Sequence, residues 1–191
     1  MRKFFASLLE VLEIAVIAVG AVFIVRTFLV QPFLVSGTSM VPTFSNGDYV
    51  LTDELTFRIQ SPERGEVIVF HDVSDYSTYL IKRVIGLPGE RVVINNNTVT
   101  IYNKQNPNGF QLDETYLPPG TITAGDEDIT LSSSSYFMMG DNRAVSYDSR
   151  SWGPLPASDI VGLVRFRLWP LNAIQIFSAP QYTVAASSSS S

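Results

Sequence analysis

Two different patterns of apolar residues divide the chain. From Phe4 to Leu34 most positions are apolar, and Ile14 to Val25 runs without interruption between Glu13 and Arg26. Taken as a helix, Leu12 to Val30 is about 28 Å long, which suits the roughly 30 Å hydrocarbon core of a bilayer. Glu13 and Arg26 then lie near the two ends, within reach of the polar interface. A cleavable signal peptide is the competing assignment, since Arg2 and Lys3 make a basic start and Ala18-Val19-Gly20 is a small-x-small triplet. Glu10 and Glu13 would fall inside its apolar region, however, and the apolar run continues well past the would-be cleavage point. A single transmembrane anchor over residues 1–30 is therefore expected. Arg2, Lys3 and the amino terminus outnumber Arg26, which puts the N-terminus in the cytoplasm and the rest of the chain outside.

After Gly37 the period changes. Short apolar or alternating runs, separated by Gly, Pro and Asn, predict strands over Tyr49–Asp53, Glu66–His71, Tyr79–Ile85, Arg91–Ile94, Thr98–Tyr102, Tyr136–Gly140 and Ile160–Leu168. Asn95-Asn96-Asn97 between two alternating runs predicts a hairpin turn, because Asn tolerates positive φ better than most residues. No long amphipathic helical period follows the anchor. The expected architecture is mainly β, a barrel-like domain over residues 31–180, with residues 181–191 a Ser-rich disordered tail.

Composition narrows the chemistry. Only 16% of residues are charged against 46% apolar, so some apolar surface is expected to face lipid or peptide. A net charge of −5, with basic residues scattered singly or in pairs, disfavours nucleic acid, and no nucleic-acid partner is expected. With no cysteine there are no disulfides and no thiolate chemistry, and a single histidine, His71, removes the usual zinc frameworks. No metal and no cofactor is expected. Ser39, in Ser36-Gly37-Thr38-Ser39-Met40-Val41-Pro42-Thr43, needs something to take its proton if it is to act as a nucleophile. With so little histidine and no cysteine, a lysine is the economical base, and Lys82 in Tyr79-Leu80-Ile81-Lys82-Arg83-Val84-Ile85-Gly86 is the candidate. Alone, Lys82-Arg83 would read as a solvated basic pair on an edge strand.

Four stretches in order change that weighing: Ser36 to Thr43, Gly65-Glu66-Val67-Ile68-Val69-Phe70, Tyr79 to Glu90, and Gly140 to Pro154. Together they resemble the type I signal peptidases, membrane-anchored serine proteases with a Ser-Lys dyad, from the anchor to about Pro170. The resemblance implies that Ser39 is the nucleophile and Lys82 the general base. Lys82 must then be buried to bring its pKa from about 10.4 toward ~7 to 8, with Leu80, Ile81, Val84, Ile85 and Met40 as apolar cover. It further implies that the Ser146 hydroxyl orients the lysine, that Asp148 and Arg150 form an ion pair fixing the loop that carries Ser146, and that Asp141, Asn142 and Arg143 form a structural turn. Phe33 to Gly37 and Tyr79 to Ile81 become the walls of a substrate site, with Val35, Leu80 and Ile81 turned toward an extended peptide bearing small residues at −1 and −3.

One position departs from the better-known Gram-negative members. There the residue two before the nucleophile carries a hydroxyl for the oxyanion hole; here it is Gly37, as in the Gram-positive branch. The Ser39 amide remains one donor, and Ser36 and Thr38 are candidates for the second. His71 lies 11 residues before the base position and is read as an ordinary surface or loop histidine. The partners implied are exported preproteins, the lipid bilayer of the plasma membrane, and proximity to the secretion translocon. Two alternatives remain. A self-cleaving repressor shares the dyad, but this chain has an anchor and no helix-turn-helix. An inactive anchored module that binds secretion substrates would require loss of Ser39 or Lys82, and both are present.

Overall fold

The computed structural model describes residues 10–20, 30–180 and 182. Residues 10–20 are helical (α1), and Val11, Leu12, Ile14, Val16, Ile17 and Val19 are all largely exposed. The remainder of the expected anchor, including Arg26, and the serine tail lie outside the described residues. Among the described residues no helix is long and apolar enough to cross a membrane.

Residues 30–180 are built mainly of antiparallel strands: β1 (Val30–Leu34), β2 (Tyr49–Asp53), β3 (Val67–His71), β4 (Tyr79–Gly86), β5 (Arg91–Asn95), β6 (Thr98–Tyr102), β7 (Phe110–Gln111), β8 (Glu127–Thr130), β9 (Ser135–Met139), β10 (Leu155–Pro156), β11 (Ile160–Trp169) and β12 (Gln175–Ile176). Two short helices join them, α2 (Glu54–Ile59) after β2 and α3 (Ser149–Trp152) after β9. One sheet runs β1-β2-β11-β3-β4-β9-β10, with β12 on β11, and a second runs β7-β6-β5-β8. The fold is thus mainly β, but the larger sheet is an open path with β1 and β10 at its ends, not a closed barrel.

Burial patterns explain which strands go where. The first four residues of β3, Val-Ile-Val-Phe, are all buried, because the strand lies between β11 and β4 with cover on both faces. β6 alternates, with Val99 and Ile101 in the core and its other positions half-buried, as a strand covered on one face should. Asn95 pairs with Thr98 around a two-residue turn in which Asn96 and Asn97 take φ of 49° and 63°, the left-handed values that such a hairpin requires. Strands β1, β7, β8, β10 and β12 and helices α2 and α3 lie beyond the predicted elements. Four of those strands are only two or four residues long, too short to carry a period.

Candidate active site

A buried apolar group supports the serine loop. Val35, Met40, Phe44, Val50, Val67, Val69 and Val164 form one apolar cluster, with Phe33 and Ile81 packed against it. Met40 and Phe44 are 1% and 0% exposed, so the loop after β1 is pinned by its own apolar residues and Ser39 is carried on a fixed support. Within that loop Val41 N–H donates to Thr38 O (3.2 Å) and Phe44 N–H to Met40 O (2.9 Å). Gly37 sits at φ +97° and its N–H donates to Asn46 Oδ1 at 3.0 Å. That amide is thereby occupied.

Lys82 arrives on β4 opposite Ile68 of β3. Its side chain is buried, 3% exposed, and its Nζ stands 2.8 Å from Ser39 Oγ and 3.1 Å from Ile81 O. Burial lowers its pKa from 10.5 to about 8, outweighing the opposing pull of the Asp148, Asp72 and Asp141 charges. A lysine at that value is largely protonated at neutral pH but readily gives a neutral amine, which can accept the serine proton.

The segment after β9 locks onto the serine loop. Asn142 N–H donates to Ser39 O (3.0 Å) and Asn142 Nδ2 to Thr38 O (3.1 Å). Gly140 is in contact so close that a Cβ there would collide with Ser39 O and Ser146 Oγ. Asp148 is fully buried and paired with Arg150 (Nη2–Oδ2 2.8 Å), accepts from Gly140 N–H (3.1 Å), and caps α3 through Arg150 N–H. Arg150 also donates to Arg143 O (2.9 Å) and Ala124 O (3.0 Å). Ser146 Oγ is buried and has no hydrogen-bond partner among the described residues; Lys82 Nζ is directed to Ser39 and Ile81 instead. Arg83, next to Lys82, makes a bidentate bond to Asp141 (2.8 and 2.5 Å), which accepts from Thr43 Oγ1 at 2.5 Å. The sequence placed Asp141 in a turn and Arg83 beside the base, but not the pairing between them.

A cleft of about 100 Å³ opens above Ser39 and Lys82. Phe33, Val35, Leu80 and Ile81 line it, together with Leu34, Ser36, Val50, Val69 and Tyr79; Gly37 and Thr38 do not. Ser36 is thus the one of the two sequence candidates for a second oxyanion donor that faces the cleft. β1 is an end strand, and β9 pairs with β4 only at Arg83, Val84 and Gly86, so both Phe33–Leu34 and Tyr79–Lys82 present free main-chain edges. Among the described residues no group of three or more His, Asp or Glu side chains could hold a metal ion.

Comparison with known proteins gives a consistent result. Residues 8–169 match the family described as signal peptidase, peptidase S26. Signal peptidase IB of Staphylococcus aureus (strain MRSA252) is 32% identical over 188 residues, covering 93% of this chain and 97% of the relative. Signal peptidase I of Leptolyngbya laminosa is 34% identical over 164 residues, covering 82% and 77%. A crystal structure of a signal peptidase I from Enterococcus faecalis V583 superposes at a TM-score of 0.46 and 28% identity, over 55% of this chain and 97% of that one.

Proposed function

The chain belongs to the signal peptidase family S26 as a bacterial type I signal peptidase, a serine peptidase that removes signal peptides, and we propose that it does so with Ser39 as nucleophile and Lys82 as base. The observation that carries this reading is the 2.8 Å approach of a buried lysine to Ser39 Oγ at the floor of a cleft. Neutral Lys82 takes the Ser39 proton as Oγ attacks the −1 carbonyl of the preprotein. The developing oxyanion is held by the Ser39 N–H, with the Ser36 hydroxyl as second donor. Lys82 then passes the proton to the leaving amine, and the C–N bond breaks to give an acyl-enzyme and the mature protein. Water, deprotonated by Lys82, attacks the ester and releases the signal peptide.

Ser146 is the orienting hydroxyl in this scheme. A buried oxygen without a partner is costly, and the lysine ammonium supplies a donor once it turns from Ser39. Asp148 and Arg150 hold the segment that carries it.

The preprotein binds extended between β1 and the first half of β4, whose free edges supply main-chain hydrogen bonds. A cleft as small as about 100 Å³, walled by Phe33, Val35, Leu80 and Ile81, favours small residues at −1 and −3. Membrane anchoring is part of the same proposal. It is supported by the apolar run Ile14 to Val25, by the exposed apolar residues of α1, and by Leu34 at 56% exposure beside the cleft. The anchor holds the site at the outer face of the plasma membrane, where translocated preproteins emerge.

The decisive experiment is cleavage of a preprotein in detergent by wild-type, Ser39→Ala and Lys82→Ala proteins, with N-terminal analysis of the product. Both variants are expected to be inactive and folded; activity surviving in either sinks the dyad. Leu in place of Ala at −1 of the preprotein should abolish cutting at that bond.

A further inference from the structure

The cleft wall continues past the −1 and −3 positions into a row of aromatic rings. Phe33 meets Tyr79 edge-on, with ring centroids 5.1 Å apart and planes at 62°. His71, the cross-strand partner of Tyr79, stands 4.7 Å from it, and Tyr76 stacks on His71 at 3.9 Å and 7°. Core packing does not explain the row. Tyr76 and Tyr79 are 62% and 44% exposed, so much of their surface faces solvent. Nor does catalysis use Tyr76 or His71.

The rings are presented by a closed turn between β3 and β4. His71 Nδ1–H donates to Tyr76 O at 2.8 Å, which sets the ring's tautomer. Asp72 N–H donates to Thr78 O (2.9 Å), and Asp75 accepts from the Ser77 and Thr78 hydroxyls (2.7 and 2.8 Å). Little ordering entropy is left for a ligand to overcome.

We propose that this aromatic ledge extends the substrate cleft and holds an apolar side chain of the preprotein about four to six residues before the cleaved bond. It rests on the function proposed above. A peptide lying along β4 with its −1 carbonyl at Ser39 advances about 3.3 Å per residue. It draws level with Tyr79, three positions before Lys82 in sequence, after about three residues and reaches the His71 and Tyr76 rings one or two residues later. Flat ring faces attract aliphatic, aromatic or proline side chains by dispersion and edge contacts and offer nothing to a charged one. The ledge is continuous with the cleft through Phe33 and Tyr79, which line both, and this favours peptide over any separate partner.

The test uses the full chain in detergent and two synthetic peptides identical around the cleavage point. One begins at −4; the other extends to −7 and carries Leu at −5. The wild-type protein is expected to prefer the longer peptide by about five- to tenfold in kcat/KM, mainly through KM, as befits an aromatic contact. In a His71→Ala/Tyr76→Ala protein that ratio falls toward one, while Tyr76→Phe retains it. An unchanged ratio in the double variant overturns the proposal, as does a wild-type ratio of one. A defect that appears only in lipid vesicles, equally for both peptides, also overturns it, because the ledge then meets lipid. Ser39→Ala run alongside separates the two claims. Cleavage surviving in it sinks the dyad, whereas the ledge is judged on the ratio between peptides.

Discussion

Lys82 is a cationic side chain kept where charge is costly, and that tension makes it testable. In the proposed mechanism Lys82 acts as a neutral base, so cleavage should rise with pH through an acid limb near the lysine's value of about 8. A kcat/KM profile flat from pH 6 to 9 would exclude it as base. The Asp72 charge holds the lysine's pKa up, so Asp72→Asn should move the limb to lower pH. The same displacement governs stability. Since the folded pKa lies below the ordinary 10.5, the folded state takes up this proton less readily than the unfolded chain. The resulting penalty, roughly 3 kcal/mol at 1.36 kcal/mol per unit, is fully present below about pH 8 and disappears toward 10.5. Lys82→Met should therefore abolish cleavage yet raise the melting temperature at pH 7, with the gain shrinking as pH climbs from 8 to 10.5.

At the scale of elements, the site is the meeting of the serine loop, β4 and the turn after β9. Gly140 leaves no room between the first and the last. Gly140→Ala pushes a methyl group into Ser39 O and Ser146 Oγ, and kcat/KM should fall by about a hundredfold, the usual effect of a misplaced reacting group. The Arg83–Asp141 pair, with side chains 6% and 1% exposed, ties the same elements. Asp141→Ala leaves Arg83 buried without its partner and should cost roughly 3–5 kcal/mol in urea unfolding. Sequence made part of this legible. Long apolar or alternating runs such as Val67–Phe70 and Thr98–Tyr102 announce strands by themselves. Motif and chemistry both single out Ser39 and Lys82, and the fold brings the two side chains within 2.8 Å. Asp141 could be placed only in a turn, since nothing local says that its carboxylate reaches Arg83, 58 residues away. The open path of the larger sheet was equally hidden, because it depends on which strands end up at the edges.

Across the whole molecule, the smaller sheet β7-β6-β5-β8 packs Val92, Ile94, Val99 and Ile101 against Ile85, Phe137 and Met139 of the larger sheet. None of its strands lines the cleft. Its exposed Arg91–Asp128 pair is solvated on both sides, with side chains 44% and 56% exposed. Arg91→Ala should leave both preprotein cleavage and the melting temperature unchanged within error, in contrast to Asp141→Ala; a large loss of cleavage would mean that the two sheets communicate. The larger sheet has the opposite character, since it leaves unsatisfied strand edges beside the cleft. Amide and carbonyl groups are common to every polypeptide, so a grip made through them is indifferent to spelling. On the proposed binding mode fidelity then comes from refusal, as bulky side chains are turned away and the rest admitted, so that one scaffold would serve a large and unrelated clientele without being redesigned for any member of it.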